Sequence, residues 1–184
     1  AGGMHHAMSF GGRGFCFFHD VAVSIRKWQA QKIIKTAWII DIDAHKGDGT
    51  AEIFKLDKEV HTLSIHMKEG WPLDSGSFKD PWFIPSSVEL GVEVNQEESY
   101  LKILEHGLLE MKNKFPLPDI VYVVDGADPY EFDELESAKL LKLTKEQMLK
   151  RDQLVYHFFK ELKVPQAYVM AGGYGNKSWE IYYQ

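Results

Sequence analysis

Residues 37–40, Ala-Trp-Ile-Ile, carry no charged side chain and run straight into Asp41-Ile42-Asp43-Ala44-His45-Lys46-Gly47-Asp48-Gly49. An apolar run that ends in carboxylates and an imidazole predicts a buried strand whose carboxyl end opens onto a site, the usual place for chemistry in α/β sheets. Side chains alternate along a strand, so Asp41, Asp43 and His45 can share one face. A carboxylate and an imidazole two residues apart offer ready ligands to a divalent metal.

The same pattern of apolar runs recurs along the chain. Strands are predicted at 37–43, 60–65, 119–125 and 166–171. Helical spacing lies between them: Val21, Ile25 and Trp28 mark a first helix, and Leu101, Leu104, Leu108 and Met111 a second. A third helix starts near residue 145, announced by Thr144 with Gln147 three residues on, a capping-box pair. Strands alternating with helices predict an α/β fold with a mostly parallel sheet covered on both faces and a site at the carboxyl ends of its strands. The chain has 184 residues, 45% of them hydrophobic, which suffices for the core of one domain, 1–184.

Composition narrows the function classes. No apolar segment is long enough to span a membrane, and the first residues lack the pattern of a secretory signal, so a soluble, intracellular (cytoplasmic) protein without a membrane partner is expected. The single cysteine, Cys16, rules out an internal disulfide and a cysteine-rich zinc site; it reads as a small core filler. Any metal must then be held by histidine and carboxylate. The net charge of −6 is spread without a basic block, which argues against a nucleic-acid partner.

Three further constellations carry chemistry. Gly2-Gly3-Met4-His5-His6-Ala7 presents two adjacent imidazoles, either of which a carboxylate could tune for proton transfer. Asp125-Gly126-Ala127-Asp128 follows the run Ile120–Val124 and brings a further carboxylate to the same rim. Ala171-Gly172-Gly173-Tyr174 again follows an apolar run, where a phenol on a glycine turn can donate to an oxyanion.

In this order the four motifs resemble the histone deacetylase superfamily, the zinc-dependent acyl-lysine and acetylpolyamine amidohydrolases with an arginase-like fold. Gly11-Gly12-Arg13-Gly14-Phe15-Cys16, Asp41–His45 and Lys150-Arg151-Asp152 look most like the class IV type and its microbial relatives. The resemblance extends over essentially the whole chain and implies a three-layer α/β/α sandwich, here incomplete at the N-terminus and at the C-terminus.

Residue by residue, the resemblance implies zinc ligands at Asp43, His45 and Asp128, with ferrous iron satisfying the same donors. It implies a catalytic pair at His5 and His6 with Asp41 and Asp48 as their respective carboxylate partners, His6 being the general base and acid. Tyr174 matches the tyrosine that polarises the scissile carbonyl together with the metal. Gly14, Phe15 and Trp71 match the substrate channel, although ordinary core packing is the competing reading for Trp71. Asp41 and Ser64 match a monovalent cation site that would take potassium; Ser64 as a plain strand-end hydroxyl is the alternative. The substrate implied is an acylated lysine peptide or an acylated small amine.

Some positions depart from the pattern. Lys46 stands where many members have a second histidine, and Gly47 stands where a binuclear manganese enzyme of the arginase type needs a carboxylate, which argues against that chemistry. Because the chain is shorter than the family's catalytic domains, the alternative expectation is a catalytically impaired fragment or a metal-binding or interaction module of the same fold. Exposed sheet edges would then favour a homo-oligomer.

Overall fold

A computed structural model describes residues 2–73 and 83–183. Five parallel strands form one sheet: β1 (Ala37–Asp41), β2 (Val60–Met67), β3 (Val88–Val92), β4 (Ile120–Asp125) and β5 (Gln166–Met170), in the order β3-β2-β1-β4-β5. The helices are α1 (Asp20–Ala30), α2 (Asp48–Phe54), α3 (Tyr100–Lys114), α4 (Lys145–Glu161) and the short α5 (Trp179–Tyr182). The expected strands and helices are present, with β3, α2 and α5 added to them, and every strand pairing among the described residues is parallel.

Burial on both faces explains the apolar runs. Along β1, Trp38 and Ile40 face a core shared with Leu104, Leu108 and Met111 of α3 and Met148, Val155 and Phe159 of α4. Ala37 and Ile39 face the opposite core, with Val21 and Ile25 of α1 and Phe54 of α2. Three layers result, helices on each side of the sheet, as a parallel sheet requires. Each such buried aliphatic side chain contributes roughly 1.5–3 kcal/mol relative to exposure. Thr144 and Gln147 close the expected capping box at the start of α4.

Topology then fixes where a site can form. The chain builds outward from β1 through β2 to β3, then returns to place β4 on the other side of β1. Connections therefore diverge between the carboxyl ends of β1 and β4, leaving a crevice there. β1 ends at Asp41, two residues earlier than the sequence pattern suggests, which frees Asp43 and His45 to enter that crevice; Asp128 enters it from β4.

Candidate metal centre and active site

Asp43, His45 and Asp128 converge, all fully buried, with one potential ligand atom from each lying within 4.8 Å of the others. His45 Nδ1 lies 3.1 Å from Asp43 Oδ1 and 2.9 Å from Asp128 Oδ2, while its Nε2 is 3.2 Å from Ser137 Oγ. The outer oxygens of the carboxylates are tied down by backbone: Gly172 N donates to Asp43 Oδ2 over 2.8 Å and Ala44 N donates to Asp128 Oδ1 over 2.9 Å. Asp128 Oδ2 has no well-formed hydrogen bond despite its burial and its closeness to His45.

The backbone wraps this cluster so tightly that only glycine fits at two points. A Cβ at Gly126 would sit 2.3 Å from Asp43 Oδ2, and one at Gly172 would sit 2.2 Å from Asp128 Oδ2. Burial and the adjacent Asp43 push the Asp128 carboxyl up to about 7. Burial opposes a charged imidazole at His45, yet Asp128 and Asp43 outweigh it and hold that group up at about 10. With no cation between them the two buried carboxylates draw a proton onto His45, and a divalent ion bound there would take the place of that proton. With Nε2 directed at Ser137, His45 Nδ1 is the nitrogen available as ligand, and the N, O, O donor set fits zinc or ferrous iron.

The histidine pair stands beside this cluster. His5 donates Nδ1–H to Asp41 Oδ2 over 2.7 Å, and its Nε2 is 3.7 Å from Asp43 Oδ1. His6 donates Nδ1–H to Asp48 Oδ1 over 2.7 Å. Burial disfavours charge on both rings, but Asp41 and Asp43 overrule it at His5 and hold it up at about 9. At His6 burial and the charge of His5 prevail over Asp48 and bring it down to about 4. Their surroundings thus drive the two rings in opposite directions, His5 toward and His6 away from the charged form.

A cavity of about 490 Å³ opens onto His6 and His45, lined also by Arg13, Gly14, Phe15, Trp71, Leu135, Ser137 and Tyr174. Gly14 and Phe15 both adopt positive φ, +54° and +63°. A Cβ at Gly14 would come within 2.2 Å of the Trp71 ring, so the turn needs glycine where backbone meets indole. Trp71 packs edge-on against His6 at 4.4 Å and His45 at 5.6 Å between ring centroids. Phe15 faces Tyr174 across the rim at 5.9 Å. Partial burial holds the Tyr174 phenol above its ordinary pKa, so it keeps its proton.

Of the other expected residues, Ser64 lies opposite Asp41 in the β1–β2 register, buried, and its Oγ accepts from Gly47 N at 3.3 Å; it does not reach the cavity. Cys16 is buried, as a core filler should be, and lines a smaller cavity of about 140 Å³ with His5, His6 and Tyr174. Arg13, Leu135 and Ser137 were not singled out by the sequence reading. Arg13 sits 3.0 Å from Asp48 Oδ2, the oxygen His6 does not use. Leu135 caps and Ser137 sits within a single 3-10 turn, Glu136–Ala138, which is too short to show a periodicity, and nothing in the local sequence marks them.

Comparison with known proteins places the chain in a family and a fold. A histone deacetylase domain model matches residues 1–182. An uncharacterised protein of Picosynechococcus is 32% identical over 185 residues, covering 100% of this chain and 58% of that protein. Histone deacetylase 2 of Arabidopsis thaliana is 31% identical over 180 residues, covering 98% of this chain and 44% of its own length. The crystal structure of an HDAC homolog from Aquifex aeolicus superposes with a TM-score of 0.80 at 26% identity, over 99% of this chain and 49% of that one. The chain thus spans about half the length of these relatives. With the family model matched from residue 1 to residue 182 and the fold shared with a solved homolog, the chain belongs to the histone deacetylase family.

Proposed function

We propose that this chain is a metal-dependent amidohydrolase that removes an acyl group from a lysine side chain or from an acylated small amine. The observation that carries the reading is the meeting of the Asp43–His45–Asp128 cluster with the carboxylate-paired His5 and His6 beside an aromatic-lined cavity onto which His6 and His45 open. Bound at that cluster, zinc, or ferrous iron in its place, would supply Lewis-acid polarisation of the acyl carbonyl and of the attacking water.

The chain's own residues supply the rest. With Nδ1–H committed to Asp48, His6 uses Nε2 to accept a proton from water as the new C–O bond forms. It returns that proton to the amine nitrogen as the C–N bond breaks, giving carboxylate and amine. His5, cationic through Asp41, stabilises the negative charge that develops on the carbonyl oxygen. Tyr174 donates its phenolic hydrogen to the same oxygen. Phe15 and Trp71 exclude water from the acyl group and strengthen these interactions.

The pairing of Asp41 with Ser64 across β1 and β2 is the place for a structural potassium ion in this reading. A cytoplasmic location and a homo-oligomer belong to the same proposal. The latter is supported by β5, a sheet edge with Tyr168 and Met170 exposed, and a monomer at every concentration in sedimentation velocity would contradict it. No helix among the described residues is long and apolar enough to cross a membrane.

The test is hydrolysis of an acetyl-lysine peptide and of an acetylpolyamine by the zinc-loaded chain. Turnover that His6→Ala reduces by about 10²–10⁴-fold is expected. A chain that holds metal yet turns over neither substrate would favour the second reading, a metal-binding or interaction module, which rests on the half-length match to the relatives.

A further inference from the structure

Arg151 stands in the middle of α4 with no solvent exposure, behind the metal cluster and outside its cavity. Its Nη1 donates to Ile42 O at 3.0 Å and to Gly126 O at 2.8 Å. Its Nη2 donates to Asp125 Oδ1 at 2.6 Å, and its Nε to Asp152 Oδ1 at 2.8 Å. Ile42 O belongs to the peptide that leads into Asp43, and Gly126 lies two residues before Asp128. One guanidinium nitrogen therefore grips both strands at the points from which the two carboxylate ligands diverge.

A plain core filler would not need this arrangement. A buried cation is costly to desolvate, and an apolar residue of similar volume is often the more stable solution. Here the charge is matched by two carboxylates, and the fork is spent on two carbonyls that have no partner in the β1–β4 ladder. Arg151 is the member of the set that joins α4, β1 and β4 at one point. The planar fork fixes the separation of those carbonyls, which a flexible ammonium cannot do.

We infer that Arg151 is a positioning residue for the metal centre, holding Asp43 and Asp128 at the separation that a divalent ion requires. The inference rests on the reading of Asp43, His45 and Asp128 as metal ligands. Groups that orient ligands from behind are worth about 10–100-fold in metal affinity.

The experiment compares zinc affinity, by competition with a chromophoric chelator, in wild type, Arg151→Lys and Val155→Ala, with thermal unfolding of each recorded in the metal-free state. Val155 lies one turn further along α4, fully buried in the helix–sheet core and without a polar group, so its truncation reports simple loss of packing. Arg151→Lys is expected to weaken zinc binding by about 10–100-fold, while Val155→Ala keeps the wild-type affinity although it unfolds at lower temperature. Unchanged affinity in Arg151→Lys, or equal losses in both variants, would overturn the inference. Should Arg151→Lys not fold, Asp152→Ala releases the Nε side of the guanidinium from a partly exposed position, with a loss of about tenfold expected and no loss overturning the inference. A wild-type chain that binds no zinc refutes the ligand reading itself, a result distinct from wild-type binding that Arg151 does not influence.

Discussion

Gly172 donates its backbone N–H to Asp43 Oδ2 over 2.8 Å, so the turn after β5 directly holds a carboxylate that follows β1. The contact depends on the absence of a side chain. In Gly172→Ala the new methyl would lie 2.2 Å from Asp128 Oδ2 and 2.7 Å from Asp43 Oδ2, and the cluster must open. Metal affinity should fall by about 10–100-fold in a chelator competition. Gly11→Ala, whose Cβ meets nothing within 4 Å, should leave it unchanged.

Tyr174 sits at the cavity edge with its phenol protonated at neutral pH. Tyr174→Phe keeps the ring beside Phe15 and removes only the hydroxyl. Turnover of an acyl-lysine peptide should drop by about 10²–10³-fold with metal content and thermal stability unchanged. An unchanged rate would remove Tyr174 from the reaction.

Asp48 fixes the ring of His6 through Nδ1 and is itself paired with Arg13. In Asp48→Ala the imidazole loses the partner that sets its tautomer, and Nε2 is no longer reserved as proton acceptor. Turnover should fall by about 10²-fold or more, whereas zinc stoichiometry, which Asp48 does not serve, should hold. Steady-state kinetics beside elemental analysis of the same sample checks both.

Away from the cavity, Glu89 on β3 is half-buried between Lys46 and His66. Burial alone would raise its carboxyl, but His66 and Lys46 outweigh it and hold it down at about 2. A pKa lowered by folding gives stability that is fully present above the unfolded value, about 4.3, and is lost as pH falls toward the folded one. Urea midpoints should therefore decline between about pH 4.5 and pH 2 in wild type, and Glu89→Gln should flatten that decline. The same slope in both proteins would contradict the burial of this pair.

The contrast between what could and could not be read from the sequence follows from how locally each feature is encoded. β1 was legible because Trp38, Ile39 and Ile40 are buried on both faces and interrupted by nothing polar. The capping box at Thr144 was legible because its two partners are three residues apart. β3 is harder to read: Val88-Glu89-Leu90-Gly91-Val92 alternates like a strand but is only five residues long, with a glycine and a glutamate that pairs with Lys46 and His66 inside it. α2 escaped as well, since Gly47-Asp48-Gly49 reads as a turn and only seven residues of helix follow from Asp48. Arg151 stood out in sequence only through a family-like triplet. Its grip on Ile42 and Gly126 spans 109 and 25 residues, a relationship no local spacing encodes.

Every step proposed for this site requires that Asp43, His45 and Asp128 hold a metal. Elemental mass spectrometry on untagged protein, wild type beside Asp128→Ala, tests it most directly. About one zinc or iron per chain is expected in wild type and none in the variant. A wild-type chain without bound metal after incubation with zinc, or a variant that retains it, would show that these three residues are not the metal's ligands.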